Sequence, residues 1–275
     1  MIHHTAIISK NAEIDKEVSI GPYCVIEGNV KIQNGTELIS HVNISGNTQI
    51  GQDNKFFPFS SIGLIPQDKK FKGEDSRLII GNNNTIREHV TINPGTKDGG
   101  MITKIENNCL IMIGSHIAHD CLISSNVVLV NNSTLGGHVK ISENAIIGGN
   151  SAIHQFVNIG KYAMIGGMSG VESNIIPYGL YFGIRSNLRG INLIGLKRKG
   201  LNHNLINKIN HIFKKHPQIS KINSISHTNW VNSKEKLYNI SSCENNYKVK
   251  NYYQTCSISR ASVNMANCVE RFLKK

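Results

Sequence analysis

The sequence predicts an all-β solenoid, a parallel β-helix of hexapeptide repeats, followed by an α-helical tail. Three observations predict it. First, an aliphatic residue recurs at every sixth position: Ile105, Ile111, Ile117, Ile123, Leu129, Leu135, Ile141, Ile147, Ile153, Ile159, Ile165 and Val171. Second, the position two residues before each later member is small: Cys109, Ser115, Cys121, Val127, Ser133, Val139, Ala145, Ser151, Val157, Ala163 and Ser169. Third, glycine follows several members, at Gly136, Gly148, Gly160 and Gly166. An amphipathic helix would repeat at about 3.6 residues and a lone strand at about 2. A strict period of six belongs to a chain that turns a corner every six residues, three corners to a coil. Each side of the coil then points one large and one small side chain inward. An accidental match in an isoleucine-rich chain would not keep one frame through so many members.

The repeat starts at the beginning of the chain. Ile8, Ile14, Ile20, Ile26, Ile32, Leu38, Ile44, Ile50, Phe56 and Ile62 hold one frame, with Ala6, Ala12, Val18, Cys24, Val30, Thr36, Val42 and Thr48 as small partners. Coils stack like parallel strands, about 4.8 Å apart. Each buried aliphatic stabilises by roughly 1.5–3 kcal/mol, whereas ordering the backbone costs roughly 1–2 kcal/mol per residue. A single coil therefore cannot stand alone, and stability comes from stacking.

Two stretches are expected to be ejected as loops. Residues 63–79 are polar and carry Pro66 and Gly73, and the frame resumes at Ile80. Residues 93–104 read NPGTKDGGMITK, and the frame shifts by one residue across them. Long loops in a regular scaffold usually carry function. The β-helix is expected over residues 1–177, where Pro177 cannot donate to a ladder. Residues 178–200 are expected as an irregular connection and 201–275 as a helical region. Leu205, Ile206, Ile209, Ile212 and Phe213 form one apolar stripe there, Pro217 stops it, and 264–273 reads as a final helix.

The chain has 275 residues and a formal net charge of +12. That length suits one elongated domain with a smaller appendage. Aromatic residues are only 6%, in keeping with a narrow core filled by aliphatics. The positive balance points to an acidic partner, whether nucleic acid, a membrane surface, or an acidic protein or substrate. A general lysine and asparagine bias explains the charge as well. Cys24, Cys109 and Cys121 fall on small inward positions and read as packed thiols, and Cys243, Cys256 and Cys268 show no CxxC pair. A reducing compartment follows. With no signal-peptide run and no stretch of membrane-span length, a cytoplasmic location and no integral membrane span are expected.

The candidate chemistry comes from stacking residues 18 apart. His119 then lies under Gly137, and Gly137 under Gln155. Asp120 lies under His138, with His154 and His116 close by. A lone histidine on a solvated face usually does nothing, which covers His3, His4, His203, His211, His216 and His227. The stacked group is different, because its clustering appears only when the chain is wound on the six-residue rule. Two chemistries fit. His119, oriented by Asp120, is a general base that deprotonates an attacking hydroxyl, with the Gly137 N–H facing the oxyanion. Alternatively, His116, His119 or His138 ligate zinc with an open position for hydration chemistry.

Several blocks carry a family resemblance. Gly114-Ser115-His116-Ile117-Ala118-His119-Asp120-Cys121, Asn132-Ser133-Thr134-Leu135-Gly136-Gly137-His138-Val139 and Ile153-His154-Gln155-Phe156 resemble the UDP-N-acetylglucosamine acyltransferase family, as do Pro66-Gln67-Asp68-Lys69-Lys70 and Gly195-Leu196-Lys197-Arg198-Lys199-Gly200. The resemblance spans about Met1 to Lys215. It implies a left-handed parallel β-helix, a homotrimer with sites between subunits, and the first step of lipid A biosynthesis. In that step an (R)-3-hydroxyacyl chain passes from acyl carrier protein to the glucosamine 3-hydroxyl of UDP-N-acetylglucosamine. Carried over by position, His119, Asp120 and Gly137 are catalytic. His116, His138, His154 and Gln155 line the substrate site, joined by Gln67, Asp68 and Lys70 from the first loop. Asn192 and Arg198 face the nucleotide. Gly167, with Met168 beside it, sits at the acyl-chain ruler, and a glycine there implies a longer chain. Neither cofactor nor metal is implied, and the acidic partner becomes the carrier protein rather than nucleic acid. Pro94 and Ile194 depart from the family pattern, and little matches beyond Lys215. The rival readings are a trimeric β-helix zinc carbonic anhydrase, a coenzyme A acetyltransferase of the same repeat class, the related N-acyltransferase, and a non-catalytic β-helix.

Overall fold

A computed structural model describes residues 1–184 and 187–215. The chain is a left-handed parallel β-helix with three flat sides. Parallel crossovers are nearly always right-handed, so this winding is an exception to the usual rule. One side is a nine-stranded sheet that includes Thr91–Ile92, His116–Ile117, Thr134–Leu135 and Ala152–Ile153 in adjacent rungs. A second side has eight strands and the third has ten.

The six-residue frame is the core. Ile26, Ile44, Phe56, Ile62, Ile86, Ile92, Ile117 and Leu135 are all fully buried, and so are the small partners Cys24, Thr36, Thr48, Ser115 and Ser133. Corners need a left-handed backbone residue, and most are not glycine. One column runs Asp120 (φ 60°), His138 (63°) and Phe156 (66°). Such a backbone costs a β-carbon-bearing residue about 1–2 kcal/mol. Two of the three columnar residues are therefore candidate site residues held in an uncommon conformation.

The structure corrects three sequence expectations. The ejected loops are shorter than 63–79 and 93–104, because Arg77–Ile80 and Ile102–Ile105 are already strands. Leu78 and Thr103 fill the small inward position and are fully buried. A leucine there escapes a pattern that looks for small residues. Residues 178–200 are not irregular. Gly179–Phe182 continues the third side, and Asn187–Ile191 folds back on it antiparallel with a bulge. A short helix, α1, follows over Leu193–Arg198. The hairpin carries no six-residue period, so the repeat search passes over it.

The helical stripe lies in α2, His203–Lys215. Ile206 and Ile209 pack with Leu196, Tyr178 and Ile191 into a second small core, with Leu205, Ile212 and Phe213 at its edge. The expected stop at Pro217 and helix over 264–273 lie outside the described residues.

Candidate active site

The site forms where the nine- and eight-stranded sides meet, in the turns after His116–Ile117, Thr134–Leu135 and Ala152–Ile153. His119 Nδ1 lies 2.8 Å from Asp120 Oδ2. A carboxylate only accepts, so Nδ1 carries the proton and Nε2 is left as the free base. The other side of the ring faces Gly137. A Cβ built there would lie 2.6 Å from His119 Cε1 and 2.7 Å from Nε2. Glycine is required because the imidazole occupies that space. The Gly137 carbonyl accepts from the Phe156 N–H, and its own N–H meets no protein acceptor among the described residues.

His138 stands edge-on to His119 with ring centres 5.0 Å apart, and stacks on Phe156 at 4.3 Å. Its Nδ1 is 3.9 Å from Asp120 Oδ2. His154 and Gln155 are exposed one rung above. His116 is half-buried and its Nδ1 shares a 2.7 Å bond with Thr91 Oγ1. Burial pushes its pKa below the ordinary value of 6.5, aided by the nearby His119. The unfolded chain then takes up this proton first as pH falls, so the pair destabilises the fold in acid. Urea midpoints are expected to drop between about pH 7.5 and about pH 5.5, and to drop less in His116→Asn. Equal drops in both proteins would refute this.

His119 and Asp120 are more enclosed than a position off the inward frame suggests, with 9% and 3% exposure. Thr96 and Gly99 of the 93–101 loop cover Asp120. The Thr96 N–H and hydroxyl both donate to the Asp120 carboxylate, the hydroxyl at 2.6 Å from Oδ2. Sequence reasoning missed Thr96 and Gly99. The frame shift marked the loop, yet no period says where an ejected loop folds back.

His119, Asp120 and His138 are also the one trio among the described residues with metal-ligand proximity. Asp120 does not fit a ligand role well. Its oxygens already accept from His119 Nδ1 and twice from Thr96, at 2.6–3.1 Å. Cys121 is no nucleophile either. Its thiol is wholly buried against the Gly136 carbonyl, and burial first, then the Asp120 charge, pushes its pKa up to about 12. The geometry thus offers a base with a free nitrogen beside an unpaired backbone N–H.

The remaining predicted residues lie elsewhere. Gln67 and Lys70 are exposed on the first loop, where Asp68 Oδ1 accepts from the Lys70 N–H. The Lys70 ammonium is 3.7 Å from Asp98 on the second loop. Gly167 and Met168 are exposed. Arg198 is exposed at the end of α1. Asn192 is 8% exposed, and its side chain is committed within the fold. Its Oδ1 caps α1 at the Gly195 N–H and its Nδ2 donates to the Tyr162 carbonyl.

Relatives share this chain through and beyond the site. An acyl-[acyl-carrier-protein]--UDP-N-acetylglucosamine O-acyltransferase of Thermodesulfovibrio yellowstonii is 54% identical over 213 residues, covering 78% of this chain and 83% of the relative. The chain belongs to the UDP-N-acetylglucosamine O-acyltransferase family. The protein of that name from Rickettsia typhi is 55% identical over 199 residues, covering 72% of this chain and 75% of its own. The family model described as Udp N-acetylglucosamine O-acyltransferase, Domain 2, matches residues 174–242, and the bacterial transferase hexapeptide model matches 102–137. A model for a C-terminal region of NADH-ubiquinone oxidoreductase matches 224–268, outside the described residues. Among solved members of the acyltransferase family, LpxA of Acinetobacter baumannii is 41% identical with a TM-score of 0.76, covering 88% of this chain and 90% of its own. The enzyme of Moraxella catarrhalis is 34% identical with a TM-score of 0.77, covering 97% and 96%.

Proposed function

We propose that the chain moves an (R)-3-hydroxyacyl group from acyl carrier protein to the 3-hydroxyl of UDP-N-acetylglucosamine, the first step of lipid A biosynthesis. The observation that carries the mechanism is the His119 ring, bonded to Asp120 at one nitrogen and packed on Gly137 at the other. His119 Nε2 takes the sugar hydroxyl proton as its oxygen attacks the thioester carbonyl. The Gly137 N–H donates to the developing oxyanion. The tetrahedral intermediate collapses, the carbon–sulfur bond breaks, and the imidazolium returns its proton to the leaving thiolate. Asp120 stabilises the imidazolium meanwhile. No acyl-enzyme is needed, in keeping with the inert Cys121 thiol.

His116, His138, His154 and Gln155 lie around this ring and bind substrate. Gln67, Asp68 and Lys70 approach from the first loop. Arg198 suits a phosphate through its planar fork. Asn192 serves the nucleotide end by fixing α1 as well as by any contact of its own. Lys197, Arg198 and Lys199 are exposed together and suit an acidic carrier protein in a cytoplasmic setting.

A homotrimer completes the reading. On the third side the outward residues Leu110, Val128, Ile146, Met164 and Leu180 stand in register, each half-exposed. An outward apolar row on a sheet is suited to burial against another copy. No helix among the described residues is long and apolar enough to cross a membrane.

The test is transfer from 3-hydroxyacyl carrier proteins of several lengths to UDP-N-acetylglucosamine, before and after chelation. Transfer that survives chelation is expected. No transfer from any donor, with stoichiometric zinc and carbon dioxide hydration, would replace this reading with the hydratase. The same assay tests the ruler. A Cβ at Gly167 would lie 3.2 Å from the Gly149 carbonyl oxygen, with nothing else closer than 3.9 Å, so a side chain there projects outward. Gly167→Met is expected to move the preferred donor to a shorter chain. An unchanged preference would remove Gly167 from the ruler.

A further inference from the structure

The Asp120 carboxylate is held from two sides. His119 Nδ1 donates to Oδ2 at 2.8 Å. The rest of its coordination comes from one residue of the second ejected loop. The Thr96 N–H lies 2.9 Å from Oδ1 and 3.1 Å from Oδ2, and the Thr96 hydroxyl 2.6 Å from Oδ2. Thr96 is 4% exposed. Gly99 closes the enclosure. A Cβ there would lie 1.9 Å from Asp120 Cγ and 2.2 and 2.3 Å from its oxygens. From the rung below, the buried Thr103 hydroxyl accepts from the Asp120 N–H at 2.8 Å.

We propose that Thr96 is a positioning residue for the His119–Asp120 pair, and that the 93–101 loop folds back on this coil to seat the carboxylate. The inference rests on His119 being the general base. A carboxylate taken out of water prefers the neutral form unless donors hold it charged. Two charge-assisted bonds from Thr96 supply that hold and fix which oxygen faces His119. Losing the hydroxyl has a direct consequence. The carboxylate rotates more freely, so fewer His119 rings are aimed at the substrate.

The experiment measures kcat and both KM values for wild type, Thr96→Val, Thr96→Ser and His119→Ala, with thermal unfolding followed on each. Thr96→Val keeps the backbone donor and removes only the hydroxyl. Its kcat is expected to fall roughly 10- to 100-fold, the range for groups that orient a reacting residue. Both KM values are expected within about threefold of wild type, since the bond orients the base and does not bind substrate. Thr96→Ser, which keeps the hydroxyl, restores the rate. In an Asp120→Asn background, Thr96→Val is expected to add little, since the two act as one unit. Wild-type kcat in Thr96→Val, or equal losses in Val and Ser, would overturn the proposal. A large loss in His119→Ala alongside either result leaves the base assignment standing. Undiminished His119→Ala overturns that assignment, and this inference with it.

Discussion

Replacing His119 by alanine is expected to lower kcat by roughly 10²–10⁴, the usual contribution of a positioned general base. The effect should fall on kcat and kcat/KM alike, since the proton moves only in the transition state. The fold should hold, because His119 sits in a turn outside the inward frame and its backbone carbonyl still accepts from the His138 N–H. Rates at saturating sugar nucleotide and carrier protein, with unfolding temperature as the control, decide it. A variant within a few-fold of wild type would move the base role elsewhere. His138 would be examined next, since its ring is 5.0 Å away and its Nδ1 is 3.9 Å from the same carboxylate.

Gly137→Ala is expected to cost at least about 10²-fold in kcat, comparable to losing an oxyanion donor. The new methyl carbon would lie 2.6, 2.7 and 3.1 Å from His119 Cε1, Nε2 and Nδ1. Carbon contacts are favourable near about 3.5–4.0 Å, so the ring must move by about an ångström. It has little room. Asp120 holds one edge at 2.8 Å, and the loop behind that carboxylate leaves no space at Gly99. Gly137 has no positive φ, so alanine brings no backbone strain, and the loss should be catalytic rather than structural. A misplacement of about 1 Å is enough for a loss of about 10²-fold. Full activity in Gly137→Ala would show that the ring is not held against this backbone during turnover.

Much of the site was legible because the fold is periodic. Beyond Ile105 the chain runs without insertions, so residues 18 apart are neighbours. His116 pairs with Thr134 and Thr134 with Ala152 by this spacing. Counting alone brings His119, Gly137 and Asp120 together. The first coils keep the same spacing, from Ile8 to Ile26, Ile44 and Ile62, but across the two ejected loops the count fails. Ile62 pairs with Ile92 and Ile92 with Ile117, because the ejected loops add residues to the interval. The apolar outward row was also readable, since Leu110, Val128, Ile146 and Met164 stand 18 apart, but attention to inward positions passes it by.

The sequence by itself determined the β-helix, its buried frame and the histidine cluster. Each follows from a six-residue rule in which every side of a coil repeats the contacts of the side above it. Only the tertiary structure decided that Asp120 is sealed by Thr96 and Gly99, that Asn192 caps a helix, and that the chain folds back as a hairpin after the last coil. Those contacts join segments that share no period. Their geometry is set by where a loop lands and which polar groups it must satisfy.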